Sequence, residues 1–337
     1  MITNKRNGLI DLTKLFFSIC IVFIHTGLSD KIPYGFEIKE LIFRLGIPFF
    51  FVCSGYFFAK NNINTGKKLY LYLKRIFIPF IFFSIIYILC EAYFLGEGSY
   101  NYIVLNVSKM FLGSPSVVTW YSGSIIWTFI ILYFIKDKRK LLYVILISLT
   151  LYLVGLSFTT YDFILNGFNP LLLMALKNTF IQNRSFWFVG LLYVSIGYFL
   201  EKYSKLEAVK TLKLIIALII SFVFCYIETT FIKGKTLYFE FDFLISHILV
   251  VVILFMLIIK CSKLNFNSKF IRNLSTTVYY IHFLIIYIFR YLIDNSYVKL
   301  NQMDIAYDLI ILGITILLAV ILNKIPSKNL KKTLNQK

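Results

Sequence analysis

Charged residues are scarce in this chain of 337 residues. They make up 15% of it, 35 lysines and arginines but only 16 aspartates and glutamates, against about 25% in an ordinary soluble domain. They also come in clusters, and the stretches between clusters carry too little polarity to face water, which excludes an ordinary soluble protein. Cysteine occurs five times (Cys20, Cys53, Cys90, Cys225, Cys261), never as a C-x-x-C pair and never at metal-ligand spacing. No metal site is expected, and the cysteines read as small buried hydrophobes. The net charge of +19 does not imply nucleic acid, because that needs a basic face on a soluble module, and here the basic residues separate apolar segments. No internal repeat, low-complexity tract or second soluble domain is visible.

What is abundant is apolar surface: 59% of residues, with 19% aromatic. A bilayer core needs about 20 mostly apolar residues per helix. Ten stretches meet this, at roughly 9–27, 41–59, 76–95, 118–135, 141–158, 185–200, 211–230, 241–259, 275–293 and 305–323. The expected fold is an all-α integral membrane bundle of ten transmembrane helices. The first stretch follows Lys5 and Arg6 as a signal peptide would, but it lacks a small-x-small cleavage site and carries Asp11, Lys14 and His25, so it reads as a retained helix.

Lysine and arginine set the orientation, because cytoplasmic loops keep positive charge. Alternate segments, beginning with the N-terminus, hold 24 of the 35, and the intervening loops hold 8. Both termini are therefore expected in the cytoplasm of a multi-pass cell-membrane protein. Residues 163–176 (FILNGFNPLLLMAL) are too short to cross and are broken by Asn166, Gly167, Asn169 and Pro170. They read as an outer interfacial or re-entrant segment, or as a surface amphipathic helix. Pro48 and Pro79 are expected to kink their spans or to free a carbonyl. Residues 324–337 form a basic cytoplasmic tail or linker suited to anionic lipid.

Ionisable groups within a membrane are costly, so each is a functional candidate. In the first span Asp11, Lys14, Ser18 and His25 fall on one helical face. Lys14 and His25 are eleven residues apart, about 16 Å of helix, which places the histidine near the outer boundary, where it serves as acid or base near neutral pH. Arg44, Glu91, Glu228, Glu240, Asp242, His247 and Arg290 lie at a similar depth, as a hydrated cavity open to the outside requires. His282 lies near the midplane beside Tyr279 and Tyr280. Plain structural readings stand beside these. The histidines hydrogen-bond within a bundle, Asp11 and Lys14 neutralise each other, and some charges only snorkel to the interface. In the second span (RLGIPFFFVCSG, Arg44 to Gly55) the Ser54-Gly55 pair permits close helix approach. Lys74 and Arg75, entering the third span, suit the phosphates of a cytoplasmic donor or a positive-inside anchor.

Together these pieces resemble membrane acyltransferase family 3, whose members move acyl groups from a cytoplasmic donor to extracytoplasmic acceptors. The family's first-span pattern, a basic residue, ten residues, then histidine, is matched by Lys14 and His25. Its F-F-x-x-S-G is matched by Phe50, Phe51, Ser54 and Gly55, with Arg44 upstream. Similarity continues through Trp120-Tyr121, Phe186-Trp187-Phe188, Gly197 and Ser275 to His282, which makes residues 1–323 one acyltransferase-3-like membrane domain. More narrowly, the chain resembles the N-terminal membrane half of the membrane-bound serine racemases of vancomycin resistance, in which a cytoplasmic racemase domain follows. That domain is absent from these 337 residues, and the basic tail is what truncation before it would leave.

The resemblance implies His25 as catalytic base assisted by Lys14, with Arg75 and Lys74 binding a donor such as acyl-CoA. No bound cofactor or metal is implied. The acceptor is a small hydroxyl-bearing substrate, contacted by residues drawn from Arg44, Ser54, Glu91, Glu228, Asp242, His282 and Arg290. The alternative is a module that binds or takes up L-serine, its carboxylate on Arg44 or Arg290 and its amine on Glu91, Glu228 or Asp242. Two departures bear on this. The family's usual first-span arginine is Lys14 here, so a bidentate grip becomes a point charge. Tyr72 also stands where a second basic residue, three before Arg75, is usual.

Overall fold

The computed structural model describes residues 8–94, 118–165, 185–204, 206–235, 243–261 and 268–324, together with residues 104, 106, 107 and 109. Among them every regular element is helical. In chain order the helices are α1 (Gly8–Thr26), α2 (Gly35–Leu41), α3 (Gly46–Lys60), α4 (Gly66–Phe94), α5 (Trp120–Phe134), α6 (Lys138–Ser157), α7 (Leu191–Tyr203), α8 (Thr211–Ile232), α9 (Ile245–Lys260), α10 (Lys269–Asp294) and α11 (Ile305–Lys324). A five-residue π turn, Phe186–Gly190, leads into α7.

A helix stands at each of the ten apolar stretches, but their lengths differ. Among the described residues, seven helical runs, with Gly35–Lys60 taken as one, are long and apolar enough to cross a membrane by length and composition. Helices α5, α7 and α9 have 15, 13 and 16 residues, shorter than the roughly 20 that span a full hydrocarbon core. The segment 163–176 falls outside the described residues except for its first three, which end a 3₁₀ turn at Asp162–Leu165.

Local chemistry explains the ends. Asp137 caps α6 by accepting the backbone N–H groups of Arg139 and Lys140 at 3.1 and 3.2 Å, the use that an aspartate finds before a helix. Pro48 does not interrupt its span midway. It lies in the first turn of α3, where a missing N–H is tolerated, and the α-helical ladder gives way to a 3₁₀ turn at Phe43–Leu45 just ahead of it. Pro79 lies inside α4, which continues through it.

The chain divides into two compact units. One comprises residues 1–35 and 262–337, and the other residues 36–261. The first is a bundle of α1, α10 and α11. At one end Lys31, just past α1, is clasped by α11. Its Nζ donates to both carboxylate oxygens of Asp308 at 2.8 and 2.9 Å, and it lies over the Tyr307 ring. Both side chains are nearly sealed, so removing either partner strands a buried charge.

The second unit is built around α3 and α7, with α5, α6 and α9 against that pair, α4 on α5 and α8 on α9. The central helices run the same way, since Phe58 and Ala59 of α3 line one cavity with Tyr198 and Lys202 of α7. They touch backbone to backbone. A β-carbon at Gly55 would lie 1.9 Å from the Val194 carbonyl oxygen, and one at Gly197 would lie 2.0 Å from that of Val52. Two motif glycines, distant in sequence, therefore serve a single crossing.

Candidate functional site

The first unit carries an ordered polar seam. Helices α1 and α10 lie side by side and parallel, and three pairs of side chains meet with one constant separation in sequence. Ser268 donates to the Asp11 carboxylate at 2.5 Å, and the Ser18 and Ser275 hydroxyls are 2.7 Å apart, each pair 257 residues apart. The third pair is His25 and His282, also 257 apart, with ring centroids separated by 5.4 Å and ring planes 29° apart. The rungs recur every seven residues, about 10.5 Å of helix. That is the repeat that keeps one seam facing a partner helix over several turns.

The middle rung is the tightest. Ser18 is fully buried, and its hydroxyl also lies 3.1 Å from the Ser275 carbonyl and 2.9 Å from that of Lys14. A polar crosslink between helices that are otherwise apolar fixes their register, because a slip of one residue would bury these groups unpaired. The register in turn sets the histidines against each other.

His282 is fully buried. Its Nδ1 lies 2.7 Å from the Tyr279 carbonyl and 3.2 Å from that of Val278. Carbonyls only accept, so Nδ1 bears the proton and Nε2 carries the lone pair. Among the described residues Nε2 has no hydrogen-bond partner. His25 is half-buried, with the Phe283 ring nearly perpendicular to it and the ring centroids 4.8 Å apart. Lys14 is on the same helix eleven residues away and cannot reach the atoms at His25. Arg290, on α10, lies beside Tyr307 of α11.

The second unit holds other candidates, several in structural contacts. Arg44 Nε donates to Glu40 at 2.9 Å. His247 Nε2 donates to the Glu40 carbonyl at 2.9 Å, while its Nδ1 accepts the Leu244 N–H. Glu228 closes the N-terminus of α9, where its two oxygens accept the N–H groups of Ile245 and Ser246 at 2.8 and 2.9 Å, and the Tyr161 hydroxyl donates to it. A carboxylate is well placed there, where unpaired N–H groups carry partial positive charge. Glu91 is buried on α4. Asp242 and Glu240 lie outside the described residues.

The F-F-x-x-S-G residues converge with the other motif pieces in this unit. Phe51 packs on Trp120 and Tyr121, Ser54 Oγ lies 3.0 Å from the Tyr121 hydroxyl, and Gly55 meets α7. Lys74 and Arg75 are exposed on α4. Tyr72 is occupied in packing, its ring against Phe58 and Phe129, which stack 4.2 Å apart. Its place in this aromatic cluster is the physical counterpart of the missing second basic residue.

Sequence reading left out Asp308, Glu40 and Ser268. Asp308 meets Lys31 through the fold alone, whereas Glu40 lies four residues before Arg44, the spacing of a local ion pair. Ser268 was signalled, because Ser268, Ser275 and His282 repeat the sevenfold spacing of Asp11, Ser18 and His25.

Comparison with known proteins agrees with the motif reading. An amino-acid racemase of Enterococcus faecalis is 30% identical over 230 residues, covering 63% of this chain but 32% of the relative. The chain thus corresponds to about a third of that protein's length. No solved structure matches. The model of the acyltransferase domain of family 3 matches residues 7–324, and this membrane protein belongs to acyltransferase family 3.

Proposed function

We propose that the chain moves an acyl group from a thioester donor on the cytoplasmic side to a small hydroxyl-bearing acceptor outside the cell membrane, with His25 as general base. In this reading all ten helical stretches cross, and both termini are cytoplasmic. The parallel course of α1 and α10 supports it, since seven crossings between them would leave both pointing the same way. The observation that carries the chemistry is His25 set against His282 on the registered seam, in a chain of this family.

The step balances on one proton. A neutral nitrogen of His25 takes the acceptor's hydroxyl proton as its oxygen attacks the thioester carbonyl. The C–S bond then breaks, and the proton passes to the leaving sulfur. Lys74 and Arg75 supply cations for donor phosphates. Arg75 alone has the planar fork for a bidentate grip.

The second reading, an L-serine binding or uptake module, draws on the relative named an amino-acid racemase. In that reading the natural protein continues into a racemase domain and contributes to antibiotic resistance. Arg44 and Glu228 would hold the zwitterion, yet Arg44 Nε is engaged by Glu40 and both Glu228 oxygens by the start of α9.

Purified protein given acetyl-CoA and a panel of hydroxyl acceptors, L-serine among them, separates the readings. A covalently acylated product that depends on the thioester is expected. Reversible L-serine binding without any such product would favour the second reading.

A further inference from the structure

We propose that His282 is a positioning residue for the reaction. When substrate binds, the Nε2 of His282 accepts the ring N–H of His25 and thereby fixes which nitrogen of His25 is left to take the acceptor's proton. This inference rests on the reading of His25 as general base.

Three independent features of the first unit lead to it. The proton of His282 is tied down at Nδ1 by two carbonyls of its own helix, so the lone pair sits at Nε2, on the side of the ring turned from those carbonyls. That nitrogen is sealed from solvent and has no hydrogen-bond partner among the described residues. Burying an acceptor unpaired is costly, and such a group in a native core calls for an explanation. The facing histidine is the third feature. The rings are stacked, with centroids 5.4 Å and planes 29° apart, which is wider than close face-to-face contact, so a turn of the half-buried His25 ring brings its N–H to Nε2. Catalytic hydrogen bonds that are long in the unliganded enzyme tighten when substrate binds.

The Ser18–Ser275 and Asp11–Ser268 rungs hold the two helices so that the rings meet. With its N–H engaged by His282, His25 presents the other nitrogen as a lone pair. That nitrogen takes the hydroxyl proton as the C–O bond forms and returns it to the sulfur as the C–S bond breaks. His282 ends the cycle with the single proton it began with. It therefore does for His25 what the buried aspartate does in a serine-protease triad, holding one tautomer and orientation, with a neutral acceptor in place of a charged one.

The test separates this role from a structural one. In His282→Asn the amide nitrogen replaces Nδ1 and keeps the bonds to the 278 and 279 carbonyls, but nothing stands at the Nε2 position. In His282→Gln the amide reaches the Nε2 position and offers an oxygen to His25. The full chain, purified and assayed with a thioester donor, is expected to lose roughly 10²-fold in kcat in His282→Asn with KM little changed. His282→Gln is expected to recover at least about tenfold of that loss, and the thermal midpoint of His282→Asn should stay near that of the native protein. Native kcat in His282→Asn would overturn the proposal. So would equal losses in both variants that track a fall in thermal midpoint.

Because only three histidines are present, nitrogen-15 spectra of histidine-labelled protein with a hydroxyl acceptor added read the same point without turnover. One neutral tautomer of His25 is expected in the native chain and a mixture in His282→Asn. An unchanged tautomer ratio would overturn the proposal. If His25→Ala abolishes transfer while His282→Asn is fully active, this inference alone fails. If His25→Ala is fully active, the parent reading fails with it.

Discussion

Replacing Gly55 by alanine is expected to abolish recovery of folded protein. The new methyl carbon would lie 1.9 Å from the Val194 carbonyl oxygen, 2.8 Å from its carbon and 3.0 Å from the Tyr198 nitrogen. All three are backbone atoms, so no rotamer change relieves the clash. To reach ordinary contact near 3.4 Å the two helices must part by about 1.5 Å, opening the centre of the second unit along the buried faces of α3 and α7. Overpacking against side chains typically costs about 1–3 kcal/mol, and a clash against rigid backbone belongs at or above the top of that range. Gly197→Ala meets the Val52 carbonyl in the same way and should be as damaging. The control is Gly313→Ala, mid-helix in α11 with nothing within 4 Å of the added carbon. It should leave stability unchanged or raise it by up to about 1 kcal/mol through helix propensity. Size-exclusion profiles and thermal unfolding of the purified variants check all three. Normal folding of Gly55→Ala would show that this crossing is looser than described.

His25→Ala is expected to lower acyl transfer by roughly 10²–10⁴-fold, the usual contribution of a positioned general base, while the protein folds normally. The half-buried ring packs against Phe283 and faces His282 but is not among the crosslinks that set the helix register. Truncation therefore removes the base and leaves the Ser18–Ser275 and Asp11–Ser268 rungs in place. His25→Gln separates the functions further, since it restores polarity and bulk but cannot carry a proton through the cycle. It should be as inactive as alanine. Kinetic assays beside thermal unfolding check this, and a loss of activity matched by a loss of folded protein would move His25 from chemistry to scaffolding.

Much of the fold was legible because membrane-length apolar runs leave little choice of structure: lipid offers no hydrogen bonds, so each run must satisfy its backbone internally as a helix. The boundaries were less legible. Helix α4 begins at Gly66, ten residues before its apolar run, and α10 at Lys269, six before. Hydropathy marks the stretch that suits lipid, whereas the backbone ladder continues through polar turns such as those of Lys67, Lys68 and Lys74. In α10 the polar turn is where Ser268 meets Asp11. Pro48 does mark a break in its span, at Phe43–Leu45, but hydropathy does not show that the break leaves the proline in the first turn of the following helix.

At the candidate site, the polar face of α1 could be read from spacing alone, and the F-F-x-x-S-G glycine could be read as a packing residue. Neither the partner helix of α1 nor the partner of Gly55 could be named, since both lie far away in sequence. The sevenfold spacing shared by the two polar sets was visible, but a repeat of seven within one helix does not say which other helix shares it. Arg44 and Glu228, read as ligands for a zwitterion, illustrate the converse difficulty. A charge in an apolar run marks a costly group, and only the fold tells whether that cost is met by a ligand or, as with Glu228, by the N-terminus of a neighbouring helix.

The most direct measurement uses vesicles that contain the purified chain, with thioester donor on the side of the lysine-rich loops and a hydroxyl acceptor only on the other. Acylated product should appear on the acceptor side, and vesicles carrying His25→Ala should yield almost none. Product formed equally by His25→Ala, or labelled L-serine accumulating across the bilayer with no acylated product from any donor, would contradict acyl transfer centred on His25.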